Sequence, residues 1–268
     1  GEEQGLDGSE HVAKRAKSEK WNVDAMLNND IVGNTHGMET DLKDNRSVRV
    51  FSEGVPTVAA GNEREIASLI SLGGENDSPS RELARYTKET AERYVDQLDV
   101  KLIYRRDRYL RGGDHVSFLQ QGFTAVSAPA THEDVTRQTQ TIRTENGVNF
   151  GDLPAYVDFN YVQKVPRMNL SVLANLASAP AEPQDVGVIT SGLTNRTQLK
   201  WDAPANGKKP AGYYFLMRES ISPYCEKKFY FTDNKADLAY SKDNYFFAVQ
   251  SVDADGHESL PVYPKPVK

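Results

Sequence analysis

Along the first 178 residues the apolar positions alternate between a helical and a strand period. Ser9 to Lys17 reads as a helix and Val23 to Leu27 as a strand, with Val48 to Phe51 and Val100 to Tyr104 as further short strands. Leu83, Tyr86, Thr87 and Ala91 mark one face of an intervening helix, and Ser78 followed by Pro79 predicts its N-cap and first turn. Asp114 to Gln121 predicts a short helix ended by Gly122, leading to the apolar strand Phe123 to Val126. Asp158 is the expected cap of a last helix, whose stripe Tyr161, Val162, Val165, Leu173 and Leu176 faces a core and which kinks at Pro166. Helix and strand patterns in alternation are the signature of an α/β layer structure, a sheet covered by helices.

The pattern changes at Ser178-Ala179-Pro180-Ala181-Glu182-Pro183, a short Pro/Ala run that predicts a linker. Beyond it everything reads as strand. Thr197 to Trp201 alternates, Gly212 to Arg218 follows, and Asn244 to Val252 closes the set before a turn at Asp255-Gly256. The expected organisation is therefore one domain over residues 1–178, a linker over 179–185 and an all-β sandwich over 186–268. Trp201 on an early strand, with Tyr245, Phe247 and Val249 on a late one, resembles a fibronectin type III domain, in which such residues fill the space between sheets. Asp253-Ala254-Asp255-Gly256-His257-Glu258 has the look of a calcium loop, but an EF-hand needs a 12-residue loop between helices, so a hairpin turn is expected there.

Composition adds exclusions. The chain of 268 residues is 38% hydrophobic and 26% charged, ordinary globular chemistry with room for two cores. Its net charge of −6, with both signs interspersed, offers no basic stripe for nucleic acid or an anionic membrane. No stretch approaches the roughly 20 consecutive apolar residues of a membrane span. Cys225 is the sole cysteine, so no disulfide forms within the chain and the redox compartment is not legible. It is expected to be an ordinary strand residue.

The candidate chemistry begins at the first residues. Side chains of adjacent Glu2 and Glu3 point apart in an extended segment, so one carboxylate can ligate a metal while the other takes a proton from water that the cation has acidified. Three ordered motifs accompany them: Glu2-Glu3-Gln4-Gly5-Leu6-Asp7-Gly8-Ser9, then Met26-Leu27-Asn28-Asn29-Asp30-Ile31-Val32-Gly33, then Arg111-Gly112-Gly113-Asp114-His115-Val116-Ser117-Phe118 with Gly122-Phe123-Thr124-Ala125-Val126. From residue 1 to about 178 the chain resembles the exported MH-clan zinc aminopeptidases, which include bacterial leucyl-type aminopeptidases and, more distantly, glutamate carboxypeptidase.

The resemblance implies two zinc ions per site, Glu2 as general base, Glu3 as ligand to one zinc and Asp30 as ligand to the other. Asp114 and His115 match a supporting pair that does not touch metal. Peptides are the implied substrates and an exported location is implied. The family's first histidine ligand and bridging aspartate lie upstream of the Glu-Glu motif, so the chain is expected to be the C-terminal portion of a three-layer zinc-peptidase sheet with flanking helices. A late histidine ligand is also replaced: where the family has Arg-Gln-His-Gln-Asp, this chain has Arg137-Gln138-Thr139-Gln140-Thr141. His132, in the same loop, takes that place if the loop is rerouted; otherwise it is an exposed loop residue. The expected function is a partial zinc aminopeptidase, incomplete or inactive as this chain. The alternative is a non-catalytic, peptidase-shaped binding or surface protein.

Overall fold

A computed structural model describes residues 1–56, 63–192 and 194–268, and the chain divides into two compact units, Gly1–Val172 and Leu173–Lys268. The division falls inside the last helix, ahead of the Pro/Ala run.

In the first unit the order is α1 (Asp7–Ser18), β1 (Met26–Asn28), β2 (Ser47–Ser52), α2 (Glu63–Ser71), α3 (Pro79–Tyr94), β3 (Asp99–Ile103), α4 (Asp114–Gln120), β4 (Ala125–Ser127), β5 (Arg143–Glu145), β6 (Val148–Phe150), α5 (Phe159–Val162) and α6 (Lys164–Ser178), which runs on into the second unit. Four strands make a mixed sheet in the order β1-β4-β2-β3, with β1 parallel to β4, β2 parallel to β3, and β4 antiparallel to β2. Val48, Val50, Val100, Ala125 and Val126 are buried in it, and α3 covers β2, β3 and β4 with Leu83, Ala84, Tyr86 and Ala91. Ser78 caps α3 by accepting the Arg81 amide at 3.2 Å, and Gly122 ends α4 with φ +81°.

Two expectations are refined by the packing. The strand foreseen over Val23 to Leu27 starts at Met26, because its partner ladder on β4 begins at Ala125. The last helix is two helices broken at Gln163, with Asp158 capping only the first. Pro166 sits in the first turn of α6, where its missing N–H would have no partner in any case. The buried face of α6 in this unit is Val165, Met168 and Val172, whereas Leu173 is half exposed. β5 and β6 form an exposed hairpin, closed by Asn146 and Gly147 at φ +49° and +79°.

The second unit contains β7 (Gln184–Ile189), β8 (Thr197–Asp202), β9 (Gly212–Glu219), β10 (Lys227–Phe231), β11 (Lys235–Leu238), β12 (Tyr245–Val252) and β13 (Lys265–Val267). They form two sheets, β11-β8-β7-β13 and β10-β9-β12, which share one core. On β8 the alternation is complete: Thr197, Leu199 and Trp201 are buried while Gln198, Lys200 and Asp202 are exposed. Trp201 meets Tyr213 edge-on at 5.4 Å, and Phe215 and Phe247 pack at 5.2 Å. β13 lies parallel to β7 so closely that a Cβ on Gly187 would stand 2.9 Å from the Val267 methyls.

The Asp253–Glu258 segment is a turn. Asp253 Oδ1 accepts the amides of Asp255 and His257 at 2.9 and 2.8 Å, and its Oδ2 is engaged by His257 Nδ1 at 2.8 Å and Lys208 Nζ at 2.5 Å. Against the opposing effect of burial, Lys208, His257 and these amides hold its carboxyl well below the usual range. Asp253, Asp255 and His257 bring one possible ligand atom each within 4.8 Å of the others, but Asp253 is already committed to closing the turn. Cys225, expected on a strand, lies half-buried in the connection between β9 and β10 instead.

Candidate functional site

Two helix–strand units of the same sense build the site. α1 leads into β1 and α4 leads into β4, and because β1 and β4 are parallel, the N-termini of both helices lie toward the C-terminal ends of both strands. α1 buries only Ala13 and Ala16, small residues that let it approach α4, and Ser9 Oγ meets Ser117 Oγ at 3.1 Å between the two helices. Glu2 and Glu3 stand on the tight turn before α1, where the Gly5 and Leu6 amides both donate to the Glu2 carbonyl, at 3.1 and 2.9 Å. Asp30 follows the end of β1. It is succeeded by Ile31 at φ +54°, a costly backbone for a β-branched residue and one that tends to mark functional sites.

These residues line one cleft of about 390 Å³, together with Ile31, Arg108, Arg111 and Gly112. Val135, Gln138, Thr139 and Gln140 complete its lining. Thr139, at the position where the resemblance expects the late histidine, also has a positive φ, +52°. Burial, then the charges of Glu3, Asp30 and Asp114, push the Glu2 carboxyl up from its ordinary value.

A charged network anchors the cleft from behind. Arg108 donates to Asp30 Oδ2 and to Glu133 Oε2, each at 3.2 Å, and through Nε to Asp107 Oδ1 at 3.1 Å. Burial lowers its proton affinity, but Glu133, Asp107 and Asp30 outweigh that and raise it overall. Glu133 also takes Arg111 Nη1 at 2.9 Å, and pairs with Arg49 through its other oxygen. His115 has no exposed surface; its Nε2 lies 3.0 Å from the Arg106 carbonyl and 3.3 Å from Asp107 Oδ2, and its Nδ1 lies 3.5 Å from Asn28 Nδ2. The Nε2–H tautomer satisfies this arrangement, and burial lowers the pKa of the ring against the pull of Asp107.

Glu2, Glu3 and Asp30 thus share a cleft, Asp114 acts on Glu2 from the start of α4, and His115 is buried behind. His132 does not line the cleft. Its ring side lies by Gly37, whose Cβ position is 3.7 Å from His132 Cβ, and its carbonyl accepts from Asn34 Nδ2 at 3.3 Å. Arg111, Gln138 and Gln140 stand in segments marked out from sequence but were given no role there, and Arg108 and Glu133 were not singled out, although the run Arg105-Arg106-Asp107-Arg108 before Gly112-Gly113 is a visible signal. For zinc, the donors fit by type, since Glu3 and Asp30 offer carboxylate oxygen. They fall short in number of the four ligands usual for the metal, and among the described residues the cleft brings no three such groups within 4.8 Å.

The sequence profile of peptidase family M28 matches residues 1–148. A "Probable zinc metalloprotease" of Pyrenophora tritici-repentis (strain Pt-1C-BFP) is 40% identical over 267 residues, 99% of this chain and 55% of the relative. Proteins of the same description from Phaeosphaeria nodorum and Pyricularia oryzae are each 39% identical, over 99% of this chain and 54% of their own length. The chain therefore spans about half the length of the curated relatives it matches. Among solved structures, an Fn3-like protein from Clostridium thermocellum matches 34% of this chain and 97% of its own at 21% identity and a TM-score of 0.27.

Proposed function

Because the chain belongs to peptidase family M28, we propose that it contributes one wall of the active cleft of a zinc-dependent aminopeptidase. The observation that carries this is the convergence of Glu2, Glu3 and Asp30 on one cleft at the shared end of two parallel helix–strand units. In this reading Glu3 and Asp30 would hold zinc, which when bound would supply Lewis-acid polarisation of the scissile carbonyl and a water of lowered pKa. Glu2 would accept a proton from that water, a role that its raised pKa suits, and return it to the departing amine. Arg108 fixes the direction of the Asp30 carboxylate, while Asp107 and His115 fix the loop that carries Arg108. Carboxylates lining the cleft also attract the free amino group of a peptide.

The proposal extends to a fibronectin type III-like character for the sandwich, supported by its two sheets and the Trp201 core, and to export, supported by the sequence resemblance alone.

A second reading, a peptidase-shaped protein without turnover, is favoured by one observation: Thr139, not histidine, lines the cleft. One experiment separates them. Zinc per chain is measured after dialysis, for the wild type, Glu3→Ala and Asp30→Ala, alongside hydrolysis of leucine amide. Stoichiometric zinc that is lost in both variants, with turnover, supports the enzyme; zinc at background in the wild type sinks it, and zinc without turnover favours the second reading.

A further inference from the structure

We infer that Asn45 and Asn195 carry N-linked glycans, one on each unit of the chain. The inference rests on the export part of the reading above and adds a covalent modification to it.

The sequence holds four Asn-X-Ser/Thr tripeptides with no proline at the centre: Asn45-Arg46-Ser47, Asn76-Asp77-Ser78, Asn169-Leu170-Ser171 and Asn195-Arg196-Thr197. This tripeptide is the acceptor of a preassembled oligosaccharide in the eukaryotic secretory pathway. The asparagine amide nitrogen bonds to the first sugar carbon and gives up one proton. The bond from that carbon to a lipid pyrophosphate breaks, and the lipid pyrophosphate departs. Folding then requires that the modified side chain stay in water, because a glycan has no room in a core.

The structure separates the four. Asn45 and Asn195 are exposed, each on a bend just ahead of a strand, β2 and β8 respectively. Among the described residues no hydrogen bond engages either amide side chain. The loop at Asn45 is tied by its backbone instead, the Asn45 carbonyl accepting from Lys164 Nζ at 2.8 Å. Asn76 is held: its Oδ1 accepts from Arg81 Nη1 at 3.0 Å. Pro79 also keeps Ser78 extended, at φ −66° and ψ 156°, which opposes the turn that brings hydroxyl and amide together. Asn169 lies within α6, half-buried, with its Oδ1 shut from solvent.

The hydroxyl residues set the order of events. Ser47 and Thr197 are the first residues of β2 and β8 and are 5% and 0% exposed. The Ser47 hydroxyl is bonded to the Asp44 carboxylate, and Thr197 Oγ1 donates to the Tyr240 carbonyl at 2.6 Å. The folded chain therefore presents neither hydroxyl to a transferring enzyme. Each glycan is added while its segment is still extended, before β2 and β8 enter their sheets.

The test is mass spectrometry of the full chain, taken from its native cells and secreted from a yeast, before and after peptide N-glycosidase treatment in heavy-oxygen water. Isotope label is expected at Asn45 and Asn195 and at neither Asn76 nor Asn169. Asn45→Gln and Asn195→Gln each remove one glycan, whereas Asn76→Gln and Asn169→Gln remove none. A yeast product that is bare, or modified at Asn76 or Asn169 in place of the other two, overturns the inference. A bare chain from the native cells overturns it as well: found outside the cells it leaves export standing, and confined to the cytosol it removes both. Zinc content and hydrolysis of leucine amide decide the peptidase reading separately, since neither asparagine lines the cleft.

Discussion

His115 is the histidine whose surroundings leave least freedom: a neutral ring enclosed by the Arg106 carbonyl, Asp107 and Asn28. Burial depresses its folded pKa below the ordinary 6.5, so the unfolded state binds the extra proton as pH falls. Its contribution to stability is complete above about pH 6.5 and is lost progressively below that value. Urea denaturation at pH 7.5 and 5.5 should show this loss in the wild type and a flatter dependence in His115→Asn, itself less stable by about 2 kcal/mol at pH 7.5. An equal pH dependence in the two proteins would remove His115 as its source. Thr139 invites the opposite experiment, a gain. Histidine tolerates a positive φ better than a β-branched residue, so Thr139→His should raise zinc affinity about tenfold, or 1.4 kcal/mol, in competition with a chelating dye. Unchanged affinity would mean that Thr139 does not stand at a ligand position. Glu2, Glu3, Asp30, Arg111 and Thr139, which line the cleft, all stand in stretches that the sequence marks out. Arg108 and Glu133 do not, and the ion pairs that join them to Asp30 and Arg111 exist only once segments 78, 22 and 25 residues apart have met.

Among the elements, α3 was the most legible, since an N-cap serine and a first-turn proline declare its start and its apolar residues share a face. The cap carries weight twice over, because the Ser78 hydroxyl accepts from the Arg81 amide and donates to the Glu53 carbonyl. Ser78→Ala should cost about 1 kcal/mol from the cap, measured by chemical denaturation, and somewhat more from the second bond. No loss would mean that water satisfies both partners. The β5–β6 hairpin, by contrast, was missed, since β5 is polar and exposed throughout and β6 offers only Val148 and Phe150, too short a run to set a period. It is tied down at its base instead, by Arg137 donating to the Asn149 carbonyl at 2.6 Å and stacking 3.5 Å from the Tyr156 ring centre. Such contacts are invisible to pattern. The helix expected after Asp158 was half legible: its cap was read, and its break at Gln163 was not, because the proline downstream drew the kink to itself.

At the scale of the molecule, the sequence announced two bodies through a change of period and a Pro/Ala run, while the division in the structure runs through α6, between Val172 and Leu173. Each body has its own core, so calorimetry of the whole chain should resolve two transitions, and a single one would mean that they unfold together. The two tryptophans are distributed one to each body. Trp21, in the first, is 44% exposed and hydrogen-bonded to Glu19, whereas Trp201, in the second, is 3% exposed and packed edge-on against Tyr213. An indole already in water changes its emission little when the chain around it melts, while one leaving an aromatic core shifts strongly to the red. The intrinsic fluorescence of this protein is therefore a gauge of its sandwich, nearly blind to the body that holds the cleft.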